Sequence, residues 1–305
     1  MLAPIVLFAY NRSEHIRRTL ESLMANNLAT QSSLFIYSDG PKDGSSAKQL
    51  KKIEEVRKIL REKKWCGKVN IIEREKNMGL ANSVMAGVSK VINKFGKIIV
   101  LEDDLLLSRN FLKYMNDALN KFEKEKKIMQ ISGYIFPVKI SIKADAFFLP
   151  FTTSWGWATW KRVWDNFNKS DDKLEILEKN KKLRKKFNLN DSYPYYKMLK
   201  LQKRGNIDSW AIIFYLSVFL KNGLVLYPKK TLVNNAGFDG SGVHCRSGMD
   251  QSKMDSNFII SSYDKKRVLP EIQNAVFKYL KTNSGFRKRV LRITRTFFKN
   301  VFLIQ

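Results

Sequence analysis

The sequence predicts an α/β fold in which a mostly parallel sheet is flanked by helices. Short apolar segments alternate with longer amphipathic segments through the first half of the 305-residue chain, as in strands joined by crossover helices. Polar motifs directly follow four of these apolar segments. A hydrophobic content of 44% is enough to form a core in a chain of this length.

Four strands are predicted in the first half, because each is a short apolar run bounded by polar or turn-forming residues. They cover residues 4–9, 34–37, 69–72 and 96–101. The second run ends in Ser38-Asp39-Gly40-Pro41, which is a strong turn signal. Strands that alternate with helices in this way favour parallel pairing.

The helices between the strands are predicted from apolar residues that recur every three or four positions. Ser13 is the expected cap of the first helix, whose apolar face extends to Met24. A charged helix is expected over residues 47–64, and a third helix begins at Leu80. Ser108 is the expected cap of a fourth helix.

The second half is less regular. It contains two predicted strands, a tryptophan-rich segment, a basic helical insertion, an apolar segment and a glycine-rich loop, at residues 128–132, 147–149, 153–164, 171–200, 207–219 and 234–244. We expect the tryptophan-rich segment to form a loop at Trp155 and Trp157, whereas Trp160 and Trp164 suit the core.

The four polar motifs predict one shared crevice, because ligands of parallel sheets bind beyond the carboxyl ends of the strands. Arg12 follows the first strand, Asp39 the second and Asn77 the third, and three acids at 102–104 follow the fourth. Neighbouring carboxylates repel one another unless solvent, a cation or a basic partner offsets their charge. A divalent cation that bridges to phosphate is one explanation, and a solvated acidic loop is the alternative.

The charge is strongly positive, with 56 Lys and Arg against 28 Asp and Glu and a formal net charge of +28. Such a chain is attracted to polyanions such as nucleic acid, anionic lipid or phosphorylated substrates, unless the excess only reflects a lysine-rich composition. Cys66 and Cys245 form neither a disulfide framework nor a metal-ligand spacing, which predicts a cytoplasmic setting. We expect no signal peptide and no membrane-spanning segment.

These motifs together resemble those of GT-A fold glycosyltransferases, which transfer sugar from nucleotide-sugar donors over a Rossmann-like sheet. The acids at 102–104 resemble the DxD-type metal motif, in a form similar to that of N-acetylglucosaminyltransferase I. The segments at 9–12, 38–40 and 77–82 resemble the nucleotide-binding elements of the family, and the loop at 237–244 resembles one that closes over the donor. The resemblance covers roughly residues 3–245 in the expected order.

The resemblance implies a role for each matching residue. Arg12 and Asp39 would hold the nucleoside, a uridine. Asp104 would bind Mn²⁺ or Mg²⁺ that bridges the diphosphate of a UDP-sugar, and His244 would approach the metal or the diphosphate. The remaining donor-binding positions that it implies are Asn77, Asn82, Glu102 and Asp103.

Inverting transfer needs a carboxylate that accepts the proton of the acceptor hydroxyl. Asp208 is the first candidate, although the resembled enzyme has two adjacent acids here and this chain has Asp208 followed by Ser209. A helix cap is the alternative role of Asp208, and Asp239 is the second candidate base. Trp155 and Trp157 are expected to line the acceptor site.

The segment 284–305 predicts a basic amphipathic helix, because Lys288, Arg292, Arg295 and Lys299 recur at helical spacing beside apolar residues. It is expected to lie on an anionic membrane surface or to pack on the body of the protein. A membrane position suits a glycan or polyprenyl-diphosphate-linked acceptor in bacterial surface polysaccharide assembly. We divide the chain into a nucleotide-sugar-binding half at 1–110, an acceptor-binding half at 111–283 and this helix.

The residues and the resemblance together predict a metal-dependent, inverting glycosyltransferase, and the resemblance alone implies a UDP-sugar donor, with N-acetylglucosamine as the first choice. It would act peripherally on the inner face of the cell membrane. A nucleotidyltransferase is an alternative, but the residues after the first strand, 9–13, lack a glycine-rich phosphate loop. A basic nucleic-acid-binding protein is another alternative, although no zinc-finger or RRM-like motif is present, and we expect no nucleic-acid partner.

Overall fold

The computed structural model describes residues 1–167, 172–239 and 254–283. The strands in these ranges are β1 Ile5–Ala9, β2 Ser33–Ser38, β3 Lys68–Glu73, β4 Lys97–Glu102, β5 Leu105–Leu107, β6 Ile128–Ser132, β7 Ala146–Leu149, β8 Trp157–Trp160, β9 Leu224–Pro228, β10 Val233–Asn235 and β11 Tyr263–Val268. The helices are α1 Ser13–Met24, α2 Ala47–Glu62, α3 Leu80–Phe95, α4 Phe111–Lys121, α5 Lys161–Trp164, α6 Asp172–Lys179, α7 Lys181–Phe187, α8 Tyr195–Lys203, α9 Trp210–Leu220 and α10 Pro270–Asn283.

The main sheet of the described residues has the strand order β11-β7-β9-β6-β8-β4-β1-β2-β3. Strands β4, β1, β2 and β3 are parallel neighbours, so their carboxyl ends lie along one edge, as the sequence predicted. A second, two-stranded sheet pairs β10 with β5 in antiparallel fashion. This pairing brings the start of the glycine-rich segment back beside the end of β4.

The tryptophan-rich segment departs from the prediction of a loop. Residues Trp157–Trp160 form β8, which pairs in antiparallel fashion with both β4 and β6. This strand is buried along its whole length and connects the parallel half of the sheet to the remaining strands. This strand was not predicted, because Gly156 and three closely spaced tryptophans are more typical of an aromatic loop than of a central strand.

Two predicted helix caps are wrong. Ser13 is the first residue of α1, and the N-cap position belongs to Arg12, which makes no side-chain capping hydrogen bond. Asn110 occupies the N-cap position of α4, while the Oγ of Ser108 is buried without a hydrogen-bond partner in the described residues. The prediction that Met24 belongs to the apolar face of α1 is also wrong, because Met24 is 40% exposed.

The chain divides into two compact units, Met1–Lys169 with Asp208–Leu269 and Ser170–Ile207 with Pro270–Gln305. The first unit contains the main sheet and the second contains α6, α7, α8 and α10. The functional halves predicted at 1–110 and 111–283 remain predictions. Cys66 is a buried free thiol, and burial raises its pKa to about 12, so the thiolate is scarce at neutral pH.

Some predictions lie outside the described residues. They concern His244, Cys245, the glycine-rich loop beyond residue 239 and the segment 284–305. Among the helices that the structure describes, none combines the length and the apolar character needed to cross a bilayer.

Candidate active site

The acidic cluster Glu102-Asp103-Asp104 lies at the end of β4, with Glu102 as its last residue. Asp103 and Asp104 are both 5% exposed, so the cluster is not a solvated loop. The backbone carbonyl of Asp103 accepts a hydrogen bond of 2.8 Å from Thr19 Oγ1 in α1. The carbonyl of Asp104 accepts one of 2.7 Å from the amide of Ala236. These bonds fix the cluster between α1 and the segment after β10.

Arg12 supplies the opposite charge. Its guanidinium pairs with Asp103, and its Nη1 lies 3.1 Å from Oδ2 of Asp104. Burial alone would lower the pKa of Arg12, but the charges of Asp103 and Asp104 outweigh burial and raise it. Arg12 was predicted to bind the nucleoside, whereas the structure places it against the two aspartates that follow β4.

The surroundings of Glu102 and Asp103 disfavour their charged forms. Burial, together with the charges of Asp104 and Asp103, raises the pKa of Glu102 to about 8, despite the opposing effect of Arg12. Burial also raises the pKa of Asp103, even though Arg12 opposes this shift. One arginine therefore does not balance three neighbouring carboxylates, and an added cation would favour their charged forms.

The geometry of Asp104 fits a metal ligand. Its Oδ2 faces Arg12, while its Oδ1 is buried with no hydrogen-bond partner in the described residues. A buried carboxylate oxygen without a partner is costly, and Mg²⁺ is commonly held by one or two carboxylates together with substrate phosphates and water. Within the ranges that the structure describes, no three His, Cys, Asp or Glu side chains converge on one point. Asp104 would therefore be the main protein ligand.

Gly237 lies directly against the cluster, which the sequence did not reveal. A Cβ at this position would lie 2.5 Å from Asp104 Oδ2, 3.0 Å from Asn235 Oδ1 and 3.2 Å from Arg12 Nη1. Asn235 is buried, and its Oδ1 accepts a hydrogen bond of 2.7 Å from the Gly237 amide. Glycine leaves a space between the backbone and the carboxylate of Asp104, and any side chain at this position would fill that space.

Asp39 is buried at the end of β2, and its carboxylate binds the loop that follows β3. The amide of Met78 donates to both carboxylate oxygens, at 3.0 and 3.1 Å, and Arg74 Nη1 lies 3.9 Å from Oδ1. Asn77 supports the same loop, since its Nδ2 donates to the Gly40 carbonyl at 3.0 Å. Asp39 and Asn77 thus organise the strand ends at which the nucleoside was predicted.

Arg74 is a candidate that the sequence analysis missed. It directly follows β3, and its Nη1 donates to Ser83 Oγ at 2.7 Å. Its guanidinium also lies 5.3 Å from the centre of the Tyr37 ring. The same signal that selected Asp39, a polar residue just beyond a parallel strand, identifies Arg74.

Asp208 lies at the start of α3, although it precedes α9 in sequence. Its Oδ2 accepts a hydrogen bond of 3.2 Å from the amide of Ala81, and it lies 3.1 Å from the position of a Cβ on Gly79. Gly79 has a φ of +74°, which favours glycine. Asp208 is exposed and therefore accessible, and it also caps a neighbouring helix. Asn82, the residue after Ala81, is exposed, and its Nδ2 donates to the Met78 carbonyl at 3.1 Å.

The two tryptophans assigned to the acceptor have different environments. Trp155 is partly exposed, and its ring centre lies 4.4 Å from that of Tyr134 and 5.4 Å from that of Phe238. Trp157 is fully buried in β8, and its ring stacks on Trp210 at 5.0 Å. The prediction that Trp157 lines the acceptor site is therefore wrong, because core packing encloses its ring. The side chain of Asp239, the second candidate base, lies outside the described residues.

The fold and this geometry agree with a comparison of the sequence with known families. The model of a family described as glycosyl transferase family 2 matches residues 5–200, which is more than half of the chain. The chain belongs to glycosyl transferase family 2. The GT-A fold expected from the sequence is thereby confirmed, and the enzyme is a glycosyltransferase. Membership of this family favours the predicted glycosyltransferase over the nucleotidyltransferase alternative.

Solved structures similar to this family 2 glycosyltransferase include residues 1–349 of TarS from S. aureus. That match has 12% identity and a TM-score of 0.43, and it covers 78% of this chain and 61% of that one. A UDP-glucose pyrophosphorylase complexed with UDP-glucose matches with 9% identity and a TM-score of 0.39, over 75% of this chain and 90% of that one. Mouse xyloside xylosyltransferase 1 in its apo form matches with 14% identity and a TM-score of 0.29, over 43% and 52%. No curated protein matches the sequence significantly.

Proposed function

We propose that this family 2 glycosyltransferase is metal-dependent and inverting, and that it uses a UDP-sugar, with UDP-N-acetylglucosamine as the first choice. The observation that carries the proposal is the buried Asp104, one oxygen of which has no hydrogen-bond partner among the described residues, beside the strand end that holds Asp39. A metal ion would bind this oxygen, and a nucleoside diphosphate would occupy the crevice beside it.

Asp104 would hold Mn²⁺ or Mg²⁺, with Glu102 and Asp103 next to it. The metal would stabilise the negative charge that develops on the leaving diphosphate. The loop that Asp39 and Asn77 hold in place would contact the uridine. Arg12 is near enough to Asp104 to help stabilise the negative charge on the leaving diphosphate. Its proposed role therefore changes from binding the nucleoside to supporting the acidic cluster.

Transfer forms a bond between the acceptor oxygen and C1 of the sugar and breaks the bond from C1 to the diphosphate oxygen. The proton of the acceptor hydroxyl passes to a carboxylate, and UDP leaves with the electron pair of the broken bond. Asp208 is our first choice for this base, because it is exposed and only its Oδ2 has a hydrogen bond in the described residues. Asp239 is the second choice.

The acceptor is proposed to be a glycan or a polyprenyl-diphosphate-linked sugar, with Trp155 as one wall of its site. Such an acceptor would place the enzyme on the inner face of the cell membrane in surface polysaccharide assembly. The predicted helix at 284–305 would add contacts to the anionic surface. The absence of a nucleic-acid partner remains a prediction.

The test is release of nucleoside diphosphate from UDP-N-acetylglucosamine, UDP-glucose, UDP-galactose and GDP-mannose, measured with Mn²⁺ and with a chelator. We expect UDP release that the chelator abolishes and that Asp104→Asn lowers by about a hundredfold or more. Asp43→Asn, which changes an exposed acid, is the control and should have no effect. Turnover that persists in the chelator would contradict metal dependence, and the anomeric configuration of the product decides between inversion and retention.

A further inference from the structure

The helices α6, α7 and α8 have a large uncompensated positive charge. From residue 174 to residue 207 the chain has ten Lys and Arg but only three Asp and Glu. Among the described residues of this segment, the one ion pair joins Lys179 Nζ to Glu175 at 3.1 Å. The other cations of the segment have no carboxylate partner in this described part of the chain.

Most of this charge lies on α7, which is an ordered helix. Asn180 caps it by accepting a hydrogen bond of 2.9 Å from the Leu183 amide, and Phe187 anchors its end in the core. Four exposed lysines lie between these anchors, and none has a carboxylate partner in the described residues, namely Lys181, Lys182, Lys185 and Lys186. They form two like-charge pairs four positions apart, which destabilise an isolated helix. An anionic surface would relieve this repulsion.

α8 adds further cations in fixed positions. The ring of Tyr196 has Arg184 at 5.1 Å and Lys200 at 4.9 Å from its centre. Arg184 also donates to the carbonyls of Leu177 and Glu178 at the end of α6, at 3.4 and 3.3 Å. Two cations thus gather at one ring, and neither has a carboxylate partner within the ranges that the structure describes.

Apolar and aromatic groups accompany these cations. Ile176 on α6 is 47% exposed, and the rings of Tyr193 and Tyr195 lie 4.6 Å apart at the start of α8. The two tyrosines are partly buried, whereas the exposed isoleucine beside lysines suits a lipid headgroup layer, in which an alkyl group enters the acyl boundary. A nucleic-acid backbone gives an exposed isoleucine no comparable partner.

We propose that the exposed cations of α7 and α8, the α7–α8 basic surface, dock this enzyme on an anionic lipid bilayer. The inference rests on the proposed function, because an acceptor anchored in the membrane requires the enzyme to reach the membrane surface. It names a membrane contact that is separate from the segment 284–305. Each lysine near an anionic surface strengthens binding severalfold, and the effect weakens as salt increases.

The test is co-sedimentation of the full chain with vesicles of equimolar phosphatidylcholine and phosphatidylglycerol, and with phosphatidylcholine alone. In the test variant, glutamine replaces Lys181, Lys182, Lys185 and Lys186. The matched control loses the same charge from four exposed lysines in and beside α2, at Lys48, Lys51, Lys52 and Lys64. We expect the test variant to bind anionic vesicles at least about tenfold more weakly than the control variant, with an unchanged or higher melting temperature.

Equal binding of the two variants would overturn the inference, as would binding that does not depend on the anionic lipid. A test variant that loses affinity for a short DNA duplex but keeps its affinity for vesicles would show that the surface binds nucleic acid instead. Vesicle binding requires no turnover, so a failed docking result leaves UDP release unaffected. Conversely, absent UDP release would refute the proposed function without changing the vesicle result.

Discussion

Arg12 and Asp104 are joined across the crevice, with Nη1 of Arg12 lying 3.1 Å from Oδ2 of Asp104, while the other carboxylate oxygen of Asp104 is buried without a hydrogen-bond partner in the described residues. The two oxygens of one carboxylate thus differ in what they contact. One is neutralised by the protein, and the other is available to a cation. Arg12 therefore offsets part of the charge of the cluster, and a metal bound at the other oxygen would not have to displace it.

Replacing Arg12 by methionine tests this relationship. Two aspartates would remain buried without their counter-charge, so we expect a loss of about 3 kcal/mol in the free energy of unfolding. Mn²⁺ should recover part of this loss, because it supplies the missing positive charge. The measurement is urea denaturation with and without Mn²⁺. Arg17→Met, which removes an exposed pair with Glu62, is the control and should change stability little. Equal losses in the two variants would show that the buried pairing is unimportant.

Gly237→Ala tests the contact between the glycine-rich segment and the cluster. The new methyl group would lie 2.5 Å from Asp104 Oδ2, closer than packed atoms approach, so either the segment or the carboxylate must move. We expect Mn²⁺ affinity to fall about tenfold or more, as measured by the electron paramagnetic resonance of the free ion. The control is Gly44→Ala, which has open space around it. It should cost about 1 kcal/mol of backbone strain and leave Mn²⁺ affinity unchanged. Normal affinity in Gly237→Ala would refute this contact.

Asp208 has a capping contact and a proposed catalytic role, which two variants separate. Asp208→Asn keeps an oxygen for the Ala81 amide but cannot take a proton, so kcat should fall about a hundredfold while donor KM is retained. Asp208→Ala should lose the same activity and, in addition, about 1 kcal/mol of stability from the start of α3. If Asp208→Asn is fully active and only Asp208→Ala is impaired, the residue is a cap and Asp239 becomes the candidate base.

Trp155 and Trp157 should respond differently to alanine. Trp157 is fully buried, so its replacement should cost about 3–5 kcal/mol, which chemical denaturation measures. Trp155 is partly exposed, so its replacement should have a smaller effect on stability and raise the KM for the acceptor. A large loss of stability with unchanged acceptor KM in Trp155→Ala would assign that ring to packing.

Much of the donor half followed from the sequence, because its strands are local apolar runs and its polar residues come at their ends. The acids after β4 were identified from that pattern alone. Partners that are distant in sequence were not, since Arg12 and Asp103 are 91 positions apart. β8 was missed because its place depends on antiparallel pairing with β4 and β6, which local residues do not specify. A helix cap was the alternative role of Asp208, and the helix that its carboxylate contacts is α3, which is distant in sequence, rather than α9.

Asp145 gives a prediction about pH, away from the active site. Partial burial opposes its ionisation, but hydrogen bonds from Ser262 and Ser261 outweigh burial and lower its pKa. Because the folded-state pKa is below the ordinary value of 3.8, the ionised group stabilises the fold above that pH, and this contribution is lost as the pH falls through the lowered pKa. These bonds hold the segment before β11 beside the start of β7.

Asp145→Asn should therefore cost about 1 kcal/mol at neutral pH, and the difference from the unmodified protein should shrink as the pH falls below 3.8. Urea denaturation across this range measures both quantities. Asp43→Asn, at an exposed loop position, should show no such trend. A cost that stays constant down to low pH would show that the charge of Asp145 does not contribute to stability.

The central claim is that the cluster after β4 binds a metal together with the donor nucleotide. Calorimetric titration of UDP tests this claim most directly. UDP would be added to the protein and to Asp104→Asn, each with Mn²⁺ and with a chelator. We expect binding by the unmodified protein with Mn²⁺, and binding at least about tenfold weaker in the chelator or in the variant. Equal UDP affinity under all four conditions would contradict the claim.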